Sequence, residues 1–443
     1  MRCLWMGAIA ASLCLAGRAS AEDIDDGPLE PDQLTGVERP AEHSAEPMRY
    51  LTNGLLWPFR LTVDFLFLAS GTAGGLLENE QIVPRVRDLF FTSGNKLGVF
   101  PTFFLETGSS PNIGARFVAD VEPFAATMRA GYGGRDQNVA ESRMRVSLKF
   151  PAPGILSLEA LHDRRTGLGF SGIGQSPESD PRNHFTIPTP NGGSFRERRE
   201  RILAGIGVRP LENFEIFFSS SLTQRYLDDP PDAVAGTALT QVFGPASIPG
   251  VLDTTRVLYS ELALRLDTRP TRTGSDVGAL FEAYGGVGAG VHGTDSTFGR
   301  AGIQAAGFFS LVRASNIISP KLVVDALGAS DPARLPFIEL VGQPTFRGID
   351  NRRDYISAVA SVDYRWSLMR FVAARLFTDV ARVFPSLSGL SLTHLRWVSG
   401  FGFDLSSSTT ELGRVAFAFG PEGYNFFFAL GLPARFGDRQ HRD

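Results

Sequence analysis

Cysteine is almost absent from this chain of 443 residues, which contains only two. Both of them, Cys3 and Cys14, lie within residues 1–21, a segment with the features of a secretory signal peptide. Once that segment is removed no cysteine remains, so a disulfide-stapled domain and a cysteine metal site are both excluded. The six histidines show no spacing typical of a metal site, and we predict neither a metal nor a cofactor.

The chain also lacks an excess of one charge and lacks long apolar runs. Its formal net charge is −4, which gives no reason to expect a nucleic acid as a partner. The longest apolar stretch after the signal, Leu51–Ala69, is interrupted by Pro58, Arg60 and Asp64. A transmembrane helix needs about 20 apolar residues, so a helical membrane protein is disfavoured.

The first hundred residues divide into three parts. Residues 1–21 combine a positive start at Arg2, an apolar core and a small-residue cleavage site at Ala19-Ser20-Ala21; a lipoprotein modified at Cys14 is the less favoured alternative. Residues 22–47 are acidic and rich in proline, which predicts a disordered linker. Residues 48–97 have helical periodicity, which predicts either short periplasmic helices that cover a larger body or a helix lying on a membrane.

From residue 98 onward apolar side chains recur at every second position. The last such segment runs from residue 424 to 436, a length of about 10–13 residues that suits a tilted transmembrane strand. A soluble β-sandwich would have strands of about 5–6 residues, so we predict an all-β, transmembrane antiparallel β-barrel over residues 98–437, followed by a short tail at 438–443. The terminal strand signal consists of Tyr424, Phe426, Phe428 and Phe436.

Strand parity places two carboxylates inside the predicted barrel. Asp363 and Asp379 fall on the faces opposite the apolar ones, because a carboxylate in contact with lipid would be costly. Arg347, on the preceding loop, could pair with both through its planar fork of donors, and Gly348 could allow the turn that directs it inward. Alternatively, Arg365 and Arg375 satisfy the aspartates and Arg347 is a plain loop charge.

Other charges are predicted to face the lumen as well. Arg365, Arg375 and Arg396 alternate with apolar positions, as does Asp404. Such residues could line a selective pore, or they could form a network that neutralises itself and fills the lumen. The near balance of charge favours the network.

Several stretches resemble a known family. "FIELVGQPTFRGIDNRRDYISAVASVDYRWSL", "RLFTDVARVF" and "LRWVSGFGFDL" resemble the bacterial surface antigen family, whose members carry the barrel domain of the BamA/TamA-like outer-membrane assembly superfamily. The resemblance implies about 16 strands and an arginine loop that folds into the lumen. Phe346-Arg347-Gly348 matches the core of the loop motif, and Asp363 and Asp379 match its acidic partners. Ile349 and Ala381 depart from the family pattern.

The resemblance also implies a role in outer-membrane biogenesis, by insertion or translocation of a protein or lipid client. The expected partners are outer-membrane lipids, client outer-membrane proteins and a separate periplasmic protein. Residues 22–97 show no pattern of the periplasmic POTRA repeats, so the N-terminal segment is expected to lie in the periplasm without them. The alternative is a passive channel or a structural barrel in the same outer membrane.

Enzymatic activity is not expected. Residues 288–293 match G-x-G-x-x-G, but no helix follows, so a dinucleotide site is disfavoured. A surface hydrolase would need His292 with Asp295, or His394 facing the lumen. Neither histidine has an identifiable nucleophile nearby.

Overall fold

This computed structural model describes most of the chain after residue 95. The described ranges are 96–106, 111–134, 137–149, 152–187, 192–230, 237–244, 248–270, 277–311, 316–349, 351–368, 372–406 and 411–429. The predicted signal, linker and helical segment therefore lie outside the described residues, apart from residues 96 and 97. Phe436 and the tail at 438–443 also lie outside them.

Sixteen β-strands dominate the described residues. They are β1 Leu97–Glu106, β2 Asn112–Val121, β3 Phe124–Tyr132, β4 Asn138–Leu148, β5 Gly154–Phe170, β6 Gly193–Leu211, β7 Phe214–Asp228, β8 Thr254–Asp267, β9 Gly278–His292, β10 Thr297–Ser310, β11 Asn316–Ala329, β12 Ile356–Ser367, β13 Val372–Phe384, β14 Arg396–Ser406, β15 Glu411–Gly420 and β16 Gly423–Ala429. Between them, the described part of the chain contains one α-helix, Leu239–Val242, and three 3₁₀ turns, Pro177–Ser179, Phe337–Glu339 and Leu387–Gly389.

Every strand pairs antiparallel with its neighbours in sequence, and the order closes into a ring. The ring closes at a seam between β1 and β16, where the described residues contribute two pairs, Leu105 with Phe428 and Glu106 with Phe427. The prediction of an all-β antiparallel barrel with about 16 strands is confirmed.

The two faces of the strands differ as the period-two pattern requires. Outward apolar side chains are largely exposed, with exposed fractions of 58% for Ile202 and 49% for Trp397. Inward polar side chains are buried, with 2% for Glu261 and 0% for Asp379. An apolar outer band around a polar interior is the arrangement of a barrel surrounded by lipid. Among the described residues, no helix is both long and apolar enough to cross a membrane.

The two ends of the barrel carry different connections. At one end, here called the turn end, consecutive strands are joined by short links such as residues 122–123 and 212–213. At the other, the loop end, long loops run over residues 171–192, 229–253 and 330–355. The first strand starts and the last described strand ends at the turn end. At the loop end, Gly420 and Gly423 pair across the short hairpin turn between β15 and β16.

The long loops pack together into an apolar core at the loop end. Phe170 and Phe243 stack with ring centroids 5.4 Å apart, and Phe170 lies 4.6 Å from Phe337. This loop-end core is built from aromatic and aliphatic side chains of both loops and strands, and its largest members are Phe170, Phe195, Leu227, Leu239, Phe243, Phe298, Phe337 and Leu340. The core joins the long loops to the ends of the strands that carry them.

Candidate functional site: an arginine loop fixed to the barrel wall

The loop between β11 and β12, residues 330–355, carries the candidate site; we call it the long loop. Its Phe346 is only 5% exposed. The ring packs with inward-facing apolar side chains of four strands, β12 to β15, and with Phe427 of β16. The members of this cluster are Phe346, Val359, Phe377, Ala381, Val398, Ala416 and Ala418. The apolar contacts hold the loop against the inner wall next to the seam.

Arg347 is bonded to both predicted aspartates. Its Nε and its backbone N–H each donate to Asp379 Oδ2 over 2.9 Å, and Nη2 donates to the other oxygen of the same carboxylate. Its Nη1 donates to Asp363 Oδ1 over 2.5 Å. The guanidinium carbon also lies 3.7 Å from the ring centroid of Phe377. The structure therefore brings one arginine, two carboxylates and one aromatic ring together.

Burial makes these contacts energetically important. Asp379 is fully buried, and the Arg347 side chain is 13% exposed. Burial by itself lowers the pKa of Arg347, but the hydrogen bond to Asp379 and the negative charges of Asp363 and Asp379 outweigh it, so the pKa is raised. The arginine stays charged, and the pairing compensates the desolvation of all three groups.

Gly348 has a role different from the predicted one. Its backbone does not adopt a positive φ, so a left-handed turn is not the reason for glycine here. A Cβ at this position would lie 2.5 Å from Phe346 Cε1 and 2.7 Å from Val398 Cγ1. The chain does bend at Arg347 and Gly348, as predicted, but the prediction missed why glycine is needed there: the loop backbone lies against packed side chains.

Asp404 is the centre of a second set of ion pairs. It accepts hydrogen bonds from Arg375 Nη2 over 2.5 Å, Arg414 Nε over 2.9 Å and Arg365 Nε over 3.1 Å. Arg375 also lies 3.6 Å from Asp363, so it connects this set to Arg347. The alternative in which Arg365 and Arg375 alone satisfy Asp363 and Asp379 does not describe this geometry.

Arg396 belongs to a different part of the predicted network. It donates to Gln343 Oε1 over 2.8 Å, to the carbonyl of Ile349, and to Glu422 over 2.9 Å, and its guanidinium lies 4.9 Å from the Phe346 ring. It therefore joins the long loop to the turn between β15 and β16. Arg352 of the same loop also reaches Glu422, at 2.8 Å. The sequence offered no signal for either loop-to-turn contact.

Asn425 is a site residue that sequence reasoning did not single out. It faces inward from β16, and its Nδ2 donates to the backbone carbonyl of Arg347 over 3.0 Å and approaches that of Gly348 at 3.4 Å. A polar residue between Tyr424 and Phe426 was the only sequence signal. The contact ties the arginine loop to the strand at the seam.

The predicted terminal aromatics face outward at the seam. Tyr424 is 68% exposed, Phe426 packs on Phe417 at a centroid distance of 4.8 Å, and Phe428 lies 6.1 Å from Phe103 of β1. The last contact crosses the seam between the two end strands.

At the loop end, Arg182 fixes the long loop to the loop between β5 and β6. Its Nη1 donates to Asp354 over 2.7 Å, and its Nε donates to Asp180 over 2.9 Å. Burial raises the pKa of Asp180, but the hydrogen bonds and charge of Arg182 lower it further, so the net pKa lies below the ordinary value. The same carboxylates raise the pKa of Arg182.

The histidines weighed for a hydrolase do not form a site in the described residues. His394 lies outside β14 in an exposed loop with a φ of 53°, so its predicted place in the lumen is wrong. His292 is exposed at the end of β9, and Asp295 pairs with Arg334 at 3.0 Å. No group of three metal-ligating side chains occurs in the described part of the chain.

Comparison with known proteins identifies the fold. No family model and no curated protein matches this sequence. The crystal structure of BamA from Haemophilus ducreyi lacking POTRA domains 1–3 matches with a TM-score of 0.51 and 12% identity over 75% of this chain and 69% of that one. CdiB from Acinetobacter baumannii matches with a TM-score of 0.46 and 9% identity over 76% and 60%. The chain shares the BamA barrel fold, as its resemblance predicted.

Proposed function

We propose that this chain acts in outer-membrane biogenesis, by insertion or translocation of a protein or lipid client. The observation that carries the proposal is the double attachment of the arginine loop. Arg347 is bonded to Asp363 and Asp379 on the wall, and its carbonyl is bonded to Asn425 of β16. A movement of the loop in the lumen therefore acts directly on a strand at the seam.

The seam joins the first strand of the ring, β1, to its last described strand, β16. Opening of this seam would expose backbone N–H and C=O groups with which a client strand could pair. An apolar outer surface continues across the seam at Phe103 and Phe428, so a client would meet lipid-facing side chains there. Outer-membrane lipids and client proteins are the partners that fit this arrangement.

The proposed orientation follows from the two ends. We place the turn end in the periplasm, together with the N-terminal segment, and the long loops outside the cell, as in bacterial outer-membrane barrels. A separate periplasmic protein could then present clients beside β1 and β16. No covalent chemistry is part of the proposed role.

A passive channel is the second candidate function. The loop-end core favours the first proposal over an open channel, because it places packed aromatic side chains such as Phe170, Phe243 and Phe337 at that end of the barrel. A structural barrel that transports nothing is a further alternative, and the experiment must distinguish it from the proposed function.

The test is deletion of the gene, followed by quantification of the outer-membrane proteome and of lipid asymmetry. We expect a loss of specific barrels or of asymmetry, restored by the wild-type chain and by Arg334→Ala. Restoration should fail with Arg347→Ala expressed at the same membrane level. Unchanged proteome and lipids, together with a measurable single-channel conductance of the purified protein, would establish the passive channel instead.

A further inference from the structure

Two arginines on the wall formed by β2–β4 face each other without a carboxylate between them. Arg116 of β2 is the direct cross-strand partner of Arg129 of β3. Both point into the barrel, since their neighbours Ala115 and Ala130 form the outward pair of the same strands. Like charges in directly opposed positions on antiparallel strands destabilise the pair.

Nearby carboxylates are engaged elsewhere. Glu141 of β4 is the cross-strand partner of Arg129, yet its Oε1 lies 3.8 Å from Arg143 Nη2. Glu159 of β5 lies 2.7 Å from Arg143 Nε. Glu159 therefore forms the close ion pair with Arg143, and Glu141 a longer one, while Glu141 also attracts Arg116 without forming an ion pair with it. Within the described residues, Arg116 and Arg129 take part in no ion pair.

The two guanidinia also retain hydrogen-bonding capacity. The Nε atoms of Arg116 and Arg129 are buried and have no acceptor among the described residues. Both side chains are only partly buried overall, so their outer nitrogens can be reached from the lumen. A buried N–H donor without an acceptor is unfavourable unless a ligand supplies one.

We propose that Arg116 and Arg129 form a binding site in the lumen for a phosphate group. A phosphate has several acceptor oxygens and a double negative charge, and arginine binds it with two parallel hydrogen bonds. One phosphate between the two guanidinia accepts hydrogen bonds from their outer nitrogens and reduces the repulsion across β2 and β3. The phosphate belongs to a lipid headgroup or is free in solution; the chemistry of the site is the same for both. The site stands on these strands alone and does not rest on the proposed role in biogenesis.

The test uses the full mature protein in a nonionic detergent, with the unfolding temperature followed by gel migration of unboiled samples. Inorganic phosphate and dihexanoyl phosphatidic acid are titrated separately, and sodium chloride provides the same ionic strength as a control. We expect each phosphate compound to raise the unfolding temperature of the wild type, and chloride to raise it much less. A ligand that binds only the folded state stabilises it in proportion to its occupancy.

Variants then assign the effect to the arginine pair. Arg129→Gln should raise the unfolding temperature in chloride, because it removes the like-charge repulsion. It should also raise the half-maximal phosphate concentration by at least about tenfold, since one of two charged donors is lost. Arg334→Gln, at an exposed loop arginine, should leave both quantities unchanged.

The outcomes separate the sources and decide the proposal. Half-maximal stabilisation at a lower concentration of phosphatidic acid than of phosphate assigns the site to a lipid headgroup. Equal concentrations assign it to the phosphate group alone. Equal effects of chloride and phosphate, or an unchanged phosphate response in Arg129→Gln, overturn the proposal. An effect on client proteins plays no part in this test, so its failure is distinct from failure of the proposed function.

Discussion

The wall formed by β12–β16 and the wall formed by β2–β4 differ in how their inward-facing charged side chains are paired. On the first wall, Asp363, Asp379 and Asp404 are each bonded to at least one arginine. On the second, Arg116 and Arg129 oppose each other, and neither forms an ion pair among the described residues, although Glu141 stands opposite Arg129. Both walls are rich in arginine, so the difference lies in where the carboxylates stand.

This difference indicates on which wall the buried charges are neutralised by other side chains of the chain. Paired charges that are buried together compensate one another's desolvation, and the loop that supplies Arg347 becomes part of the wall. An arginine pair without a carboxylate leaves the repulsion for a ligand to remove. We therefore regard the first wall as a fixed support for the loop and the second as the surface that meets soluble or lipid anions.

Arg347→Ala gives the largest expected effect. It leaves Asp379 fully buried without the positive charge and the two hydrogen bonds of the guanidinium, and only the backbone N–H bond remains. The free energy of unfolding should fall by about 3–5 kcal/mol. The loss appears as a lower temperature at which the unboiled barrel loses its compact migration on gels. Arg129→Ala on the other wall should cause no loss. An unchanged temperature for Arg347→Ala would mean that Arg375 suffices for Asp363 and that Asp379 is neutral.

Gly348→Ala should have the next largest effect. The new Cβ would meet the Phe346 ring at 2.5 Å, and displacing the packed ring costs about 1–3 kcal/mol. The matched control is Gly285→Ala, where nothing lies within 4 Å of the added carbon. If both variants unfold at the wild-type temperature, the loop backbone does not lie against Val398 as closely as the structure shows.

The sequence pattern alone was enough to predict the barrel fold and many of the side chains that face its lumen. A strict period of two fixes which side of a strand faces lipid, so Asp363 and Asp379 could be placed inside the barrel from parity. The pairing of Arg347 with both aspartates could not be derived from spacing, because strand periodicity does not determine the path of a loop. That pairing was predicted from the Phe346-Arg347-Gly348 motif. Asn425 was not predicted as a site residue, because its hydrogen-bond acceptor is a backbone carbonyl and the sequence contains no signal for such a contact.

Asn425→Ala should produce a smaller change than either loop variant. Loss of the 3.0 Å hydrogen bond to the Arg347 carbonyl costs about 0.5–1.5 kcal/mol. The removal should also increase hydrogen exchange of the backbone amides in β16, since that strand loses its tie to the loop. Exchange in β6, far from the seam, is the internal control. Equal exchange in β16 of the variant and the wild type would show that the loop and the seam move independently.

The pH response of the loop end should be the smallest effect, because Arg182 and Asp180 are partly exposed and their attraction is weakened by water. The pKa of Asp180 is lower in the folded chain than its ordinary value of about 3.9. Its stabilisation is therefore fully present above that value and is lost as the pH falls through the lowered folded pKa. Protection factors of the amides in residues 171–187, which correct for the intrinsic pH dependence of exchange, should fall between pH 5 and pH 3 in the wild type. Arg182→Gln should show lower protection factors already at pH 5 and respond less to acid. If the acid response of the variant equals that of the wild type, Asp180 is not the group that titrates.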